Sequence, residues 1–152
     1  MRQAVGVIGG VGPMATVYYM QRVIEMTKAG CDQDHINMLV FNDCDIPDRT
    51  AYITEQSPDN PLPVMVEDAK RLEAAGCAFV VIPCNTAHYF YDELQQAVKI
   101  PVVNIVEETI RYAKERIADL HCVGIMATTG TIVTGTYQKY AQQAGLDAIV
   151  PD

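Results

Sequence analysis

The stretch Pro83-Cys84-Asn85-Thr86-Ala87-His88 gathers a thiol, an amide, a hydroxyl and an imidazole within six residues. An apolar β-type segment, Ala78-Phe79-Val80-Val81-Ile82, precedes it, and Ala87, Tyr91, Leu94 and Val98 follow at helical spacing. Cys84 is therefore expected where a buried strand ends and a helix begins. In open α/β sheets that is the ligand side. The free N–H groups of a first helical turn favour negative charge there, a thiolate or a ligand carboxylate. A cysteine so placed can be a nucleophile, an acid or base, or the wall of an anion site. The bland alternative is a small buried hydrophobe. His88, four residues on, would form with Cys84 a hydrolase-like nucleophile pair; otherwise it is a histidine on a helix surface.

Three further places carry chemistry. Arg49, in Asp45-Ile46-Pro47-Asp48-Arg49-Thr50, is a lone cation in a long polar connection. Its guanidinium can clamp a carboxylate through two parallel hydrogen bonds, or it can be a solvated surface group. Gly10-x-Gly12-x-x-Ala15 loosely matches the dinucleotide-binding fingerprint. Pro13 lacks the N–H a pyrophosphate would use, and Lys28, Ala29 and Gly30 stand where a ribose-binding acid belongs. A turn lining a small pocket is the better reading of Gly9-Gly10. Thr128-Thr129-Gly130-Thr131 is another polar strand-to-helix turn, and Cys44 follows Asn42-Asp43 at the mouth of a strand. Cys31, Cys77 and Cys122 carry no motif.

These residues need elements to position them. Ala4 to Ile8 reads as a first strand, and Met14, Val17, Met20 and Ile24 stripe a helix that runs to about Lys28. Ile36 to Phe41 is a second strand. Asn42 to Pro63 is a long connection with four prolines, a length that marks function in a compact domain. Met65, Ala69, Leu72 and Ala75 mark the next helix. Ile100 to Asn104 reads as a fourth strand, and Val106, Ile110, Ala113 and Ile117 stripe a helix. Cys122 to Ala127 is a fifth strand, Ile132 to Ala144 a helix, and Leu146 to Val150 a sixth strand. Strands alternating with helices predict an α/β fold, a parallel sheet flanked by helices. Residues 1–118 form a first domain carrying Cys84, and 119–152 the start of a second. An apolar strand at the end of a parallel sheet calls for cover, so either this last strand lies on an edge or the chain is part of a longer protein whose second domain is incomplete here.

The chain has 152 residues, 49% of them hydrophobic, enough for a folded domain with a real core. The net charge is −8 with no basic block, which argues against nucleic acid or an anionic membrane as partner. Five cysteines without C-x-x-C spacing fit a reducing cytoplasm and neither a disulfide scaffold nor a zinc site.

Together, Ile8-Gly9-Gly10-Val11-Gly12-Pro13, Ile46-Pro47-Asp48-Arg49-Thr50, Pro83-Cys84-Asn85-Thr86-Ala87-His88 and Ala127-Thr128-Thr129-Gly130-Thr131 resemble the aspartate/glutamate racemase family. The resemblance covers essentially the whole chain. It implies two similar α/β domains with the site between them, and a homodimer of such chains. It implies chemistry on a small dicarboxylic amino acid without pyridoxal phosphate or metal. One cysteine thiolate removes the α-proton and a second thiol delivers a proton to the opposite face. By the same resemblance Cys84 is the first acid/base. Asn85 and Thr86 hold a carboxylate, Arg49 binds a carboxylate, and Asn42 and Gly10 line the pocket. Thr128, Thr129 and Thr131 close it. The family's second cysteine, in a Gly-Cys-Thr-Glu-like motif, and a downstream lysine have no counterpart after Val150, so the chain is expected to be the N-terminal part of such a protein and impaired by itself. A non-catalytic dicarboxylate-binding fragment and a Cys-dependent hydrolase remain as alternatives.

Overall fold

A computed structural model describes residues 3–151. The strand β1 (Val5–Gly9) leads into helix α1 (Pro13–Met26), with Pro13 at the first helical turn, where its missing N–H costs nothing. Strand β2 (Met38–Asn42) follows, then a short helix α2 (Arg49–Ile53), helix α3 (Leu62–Ala74) and strand β3 (Phe79–Val81). A 3-10 turn over Thr86–Phe90 runs into α4 (Tyr91–Ala97), and α5 (Ile105–Arg116) comes next. The last part holds β4 (Cys122–Gly124), α6 (Thr129–Val133), α7 (Thr136–Gln143) and β5 (Asp147–Ile149).

Two parallel sheets result. The first has the order β2-β1-β3, with Gly9 opposite Asn42 and Val7 opposite Val81. The second pairs β4 with β5. Every residue of β1 is buried, as a central parallel strand covered on both faces must be. Successive side chains point to opposite faces, and the core divides accordingly. Ile8, Val80 and Ile82 pack with Met65, Ala69 and Leu72 of α3 and Leu94 of α4. Val5, Val7 and Val81 pack with Tyr19 of α1 and Ile105 of α5. Helices therefore flank the sheet on both sides, the expected fold class. At Gly6 a Cβ would lie 3.2 Å from Leu72, so α3 sits close against the strand there.

Several expected elements differ. Ile100 to Asn104 is not a strand: Val102 makes only an isolated bridge to Val80. Pro101 has no N–H to give, the Val102 N–H donates to Gln95 Oε1 at 2.7 Å, and Asn104 instead caps α5 by accepting from the N–H groups of Val106 and Glu107. The apolar stripe of α1 is turned differently as well. Thr16, Tyr19, Met20 and Val23 face inward to varying degrees, while Met14, Val17 and Ile24 are exposed. The helix expected over Ile132 to Ala144 is broken at Gly135, which takes a left-handed φ of 64°. The long connection from Asn42 to Pro63 is not bare loop, because Asp48 accepts from the Ala51 N–H at 2.7 Å and starts α2.

Candidate active site

The parallel register brings the candidate residues to one edge. Asn42 ends β2 opposite Gly9, and Gly10 follows at once. Cys84 stands three residues beyond Val81, as Gly10 stands three beyond Val7. Gly10 therefore lies between the ends of β2 and β3, at the carboxyl edge where α/β sheets take ligands. Its φ is 83°, and a Cβ there would lie 2.1 Å from the Asp43 carbonyl oxygen. Only glycine lets the β1 turn close onto the loop after Asn42. The Gly10 N–H donates to Thr16 Oγ1 at 3.1 Å, so it is already engaged.

Cys84 is half-buried against the core around Ile8 and Ile82. Its N–H donates to the Ile82 carbonyl at 2.8 Å. The chain then enters a 3-10 turn before α4 rather than the α-helix expected from Asn85 onward. Asn85 is exposed, and its Oδ1 accepts from the Tyr137 hydroxyl at 2.7 Å. That bond turns the amide N–H₂ the other way and leaves it free to donate. Asn85 and Tyr137 also border a cavity of about 280 Å³ whose other walls include Thr109, Ile110 and Val123.

Three hydroxyls meet beside this turn. Thr86 Oγ1 lies 2.9 Å from Thr128 Oγ1 and 2.8 Å from Thr131 Oγ1, and the latter two are 3.2 Å apart. Such a triangle can circulate its protons and still turn donors toward an anion. Thr86 and Thr131 are buried, Thr131 only 1% exposed, whereas Thr128 is open to solvent. Thr129 is exposed at the start of α6 and takes no part in the triangle. Gly130 makes the approach possible: a Cβ there would meet Thr50 Oγ1 at 2.8 Å and Thr86 Cγ2 at 3.0 Å.

Arg49 opens α2, which packs against both α6 and the 3-10 turn. One of its terminal nitrogens donates to the carbonyls of Ile46 (3.1 Å) and Pro47 (2.7 Å). Its Nε is buried without a partner, and among the described residues no carboxylate pairs with it. Cys44 is exposed beyond β2, with the Asn42 amide donating to its sulfur at 3.7 Å. No cluster of metal-ligating side chains occurs among the described residues.

His88 overturns an expectation. It is 4% exposed, not a surface histidine, and burial pushes its pKa below the usual imidazole value. Its Nδ1 lies 2.8 Å from the Cys84 carbonyl oxygen, and its Nε2 meets the backbone of Val103 and Ile105. Both ring nitrogens serve the main chain, which removes the geometric basis for a Cys–His nucleophile pair.

Known proteins share this arrangement of sequence and fold. The family described as Asp/Glu/hydantoin racemase matches residues 8–152. The chain belongs to that racemase family. It is 31% identical to the broad specificity amino-acid racemase RacX of Bacillus subtilis, over 97% of this chain and 64% of that protein. The structure of Picrophilus torridus aspartate racemase superposes with a TM-score of 0.89 at 30% identity, covering 99% of this chain and 63% of that one. A glutamate racemase from Francisella tularensis, solved with D-glutamate, shares the fold, with a TM-score of 0.66 at 21% identity over 97% of this chain and 52% of that one. The chain thus spans a little under two thirds of the length of RacX and of the Picrophilus enzyme.

Within this racemase-family chain, Gly10, Asn42, Cys84, Asn85, Thr86, Thr128 and Thr131 converge on one edge. Arg49 borders them on α2, and Thr129 is exposed and outside the hydroxyl triangle. Sequence reasoning missed Tyr137, the buried His88 and the close packing at Gly130. The i, i+4 spacing of Cys84 and His88 was the one available signal, and it indicates a turn bond as readily as a catalytic pair.

Proposed function

We propose that this chain carries one half of a cofactor-independent amino-acid racemase site, acting on aspartate or glutamate. The observation that carries this reading is the position of Cys84 just past the carboxyl end of β3, followed in the chain by Asn85, whose Oδ1 is held by Tyr137, and by Thr86 of the Thr86–Thr128–Thr131 hydroxyl group. The Cys84 thiolate takes the α-proton, the C–H electron pair stays on carbon, and Cys84 becomes a thiol. Negative charge grows toward the α-carboxylate, where the Asn85 amide and the threonine hydroxyls donate. Arg49, with which no carboxylate of the described residues pairs, receives a carboxylate of the substrate through its guanidinium. Inversion then requires a proton from the opposite face, from an acid that Cys84 does not supply. Residues 119–152 form the beginning of the second domain that closes the site, and the chain by itself inverts poorly.

The test is proton NMR of L- and D-aspartate and L- and D-glutamate in deuterium oxide with the purified chain. Loss of an α-proton signal that disappears in Cys84→Ser supports the reading. No exchange with any of the four, despite saturable binding, turns the chain into a non-catalytic dicarboxylate binder.

A further inference from the structure

We infer that His88 is the positioning residue of the Cys84 thiol, held as the single neutral tautomer that carries its proton on Nδ1. The inference rests on the reading of Cys84 as the reacting group. The partners of the ring dictate the tautomer. The Cys84 carbonyl, 2.8 Å from Nδ1, can only accept, so Nδ1 must carry a hydrogen. The Ile105 N–H, 3.2 Å from Nε2, can only donate, so Nε2 must be bare. The opposite tautomer would set an N–H against an N–H at one end and a lone pair against a carbonyl at the other. The Val103 carbonyl, 3.3 Å from Nε2, would accept from a protonated Nε2, but in the neutral form that sets the bare Nδ1 against the Cys84 carbonyl at 2.8 Å, and in the imidazolium it gives up the Ile105 bond and places a charge in a buried site. The Tyr91 ring lies almost parallel to the imidazole, with 6.5 Å between centroids.

The consequence falls on Cys84. Its N–H is fixed to Ile82 and its carbonyl to His88, so both backbone polar groups of the residue are pinned. With the peptide planes on either side fixed, the Cα–Cβ direction is fixed, and the thiol swings only about χ1. His88 also joins this turn to the start of α5 through the Ile105 N–H. Proton transfer to carbon depends steeply on such alignment.

Imidazole nitrogen NMR on the folded, ¹⁵N-labelled chain reads the tautomer directly. A protonated Nδ1 with a bare Nε2 for His88 is expected; a protonated Nε2 overturns the inference. Two variants then separate positioning from core filling. His88→Asn keeps a donor near Nδ1 for the Cys84 carbonyl, whereas His88→Gln reaches toward Ile105 and leaves that carbonyl unpaired. The readout is the iodoacetamide reaction rate at Cys84, resolved by peptide mapping. The rate in His88→Asn should stay near the parent value. The rate in His88→Gln should change by about fivefold, equivalent to one net hydrogen bond of about 1 kcal/mol. Equal changes in both variants, or none in either, refute positioning through Nδ1. Neither readout needs turnover, so a failure of the tautomer and positioning is distinguishable from a failure of the racemase chemistry, which Cys84→Ser tests. If the variants fail to fold, the tautomer of the parent chain decides.

Discussion

Cys84 and Arg49 represent two ways a residue enters a site. Cys84 is placed by strand register, while Arg49 is placed by a capped helix and held by its own loop carbonyls. Arg49→Ala is expected to weaken aspartate binding by about 2 kcal/mol, the lower end for truncating one member of a charge pair, because Arg49 is only half-buried. Calorimetric titration checks this, and unchanged affinity would return Arg49 to a purely local role in its loop. Two buried titratable groups predict the pH dependence of stability. Burial, and then the nearby Asp43 carboxylate, hold the Asp68 carboxyl above its usual range, with Arg71 pulling the other way. The native state therefore keeps a proton on Asp68 that the unfolded chain has lost. Stability from this group is present at low pH and falls as pH rises through the raised value. His88 works in the opposite sense: its pKa is lowered, so the unfolded chain binds a proton first, and stability is lost as pH drops below about 6.5. Urea midpoints between pH 4 and pH 8 should show Asp68→Asn gaining on the parent as pH rises. A gap between the two that stays constant with pH would contradict the Asp68 assignment.

At the scale of elements, the packing of α6 on α2 holds the hydroxyl triangle together. Gly130→Ala would drive a methyl to within 3.1 Å of the Thr50 Cα, which is backbone and cannot swing aside. Overpacking of this kind costs roughly 1–3 kcal/mol. The expected outcome is an unfolding free energy, from urea titration, lowered by that amount, and a crystal structure of the variant in which the Thr86 and Thr131 hydroxyls stand too far apart to hydrogen-bond. Asn104→Ala removes the two cap bonds of α5 and the bond to the Tyr140 hydroxyl, and should cost about 1–2 kcal/mol; an unchanged midpoint would argue against the cap. Much of this architecture was legible. Val5, Val7, Val80 and Val81 fall in short apolar runs between helical stripes, and that alternation places Cys84 at a strand end whatever the details. What sequence periodicity could not supply was decided by side chains bonding to backbone. Gln95 takes the Val102 N–H and dissolves a strand that apolar composition suggested. His88 looks like any helix-surface histidine until the Val103–Ile105 backbone folds over it. The stripe of α1 misled because apolar residues occupy more than one face, and the sheet covers only the face of Thr16 and Tyr19.

The whole molecule leaves apolar surface open around its second sheet. Met126 is 89% exposed, and Val133, Ile149 and Val150 are exposed near it. A little over a third of the length of RacX and of the Picrophilus enzyme lies outside the span they share with this chain. Inversion at an α-carbon needs a base on one face and an acid on the other, and in the proposed chemistry Cys84 serves one face. Cys44 is the other cysteine at the carboxyl edge of the sheet: it follows β2, and Cys84 follows β3, with β1 between them. The ends of those strands are two strand spacings apart, roughly 10 Å. That is far enough for a substrate to sit between them over the Gly10 turn, but Cys44 lies exposed with only the Asn42 amide on its sulfur. The chain alone should therefore exchange the α-proton of one enantiomer with solvent and return the same enantiomer, because the proton goes back from the face it left. Removing one member of a paired catalytic unit usually removes most of the rate. Chiral chromatography alongside deuterium incorporation distinguishes the outcomes. Exchange without inversion is expected. Inversion as fast as exchange, abolished in Cys44→Ser, would make Cys44 the second acid and the chain sufficient. Inversion that survives Cys44→Ser would require a donor other than a thiol at this edge, and would overturn the one-base reading.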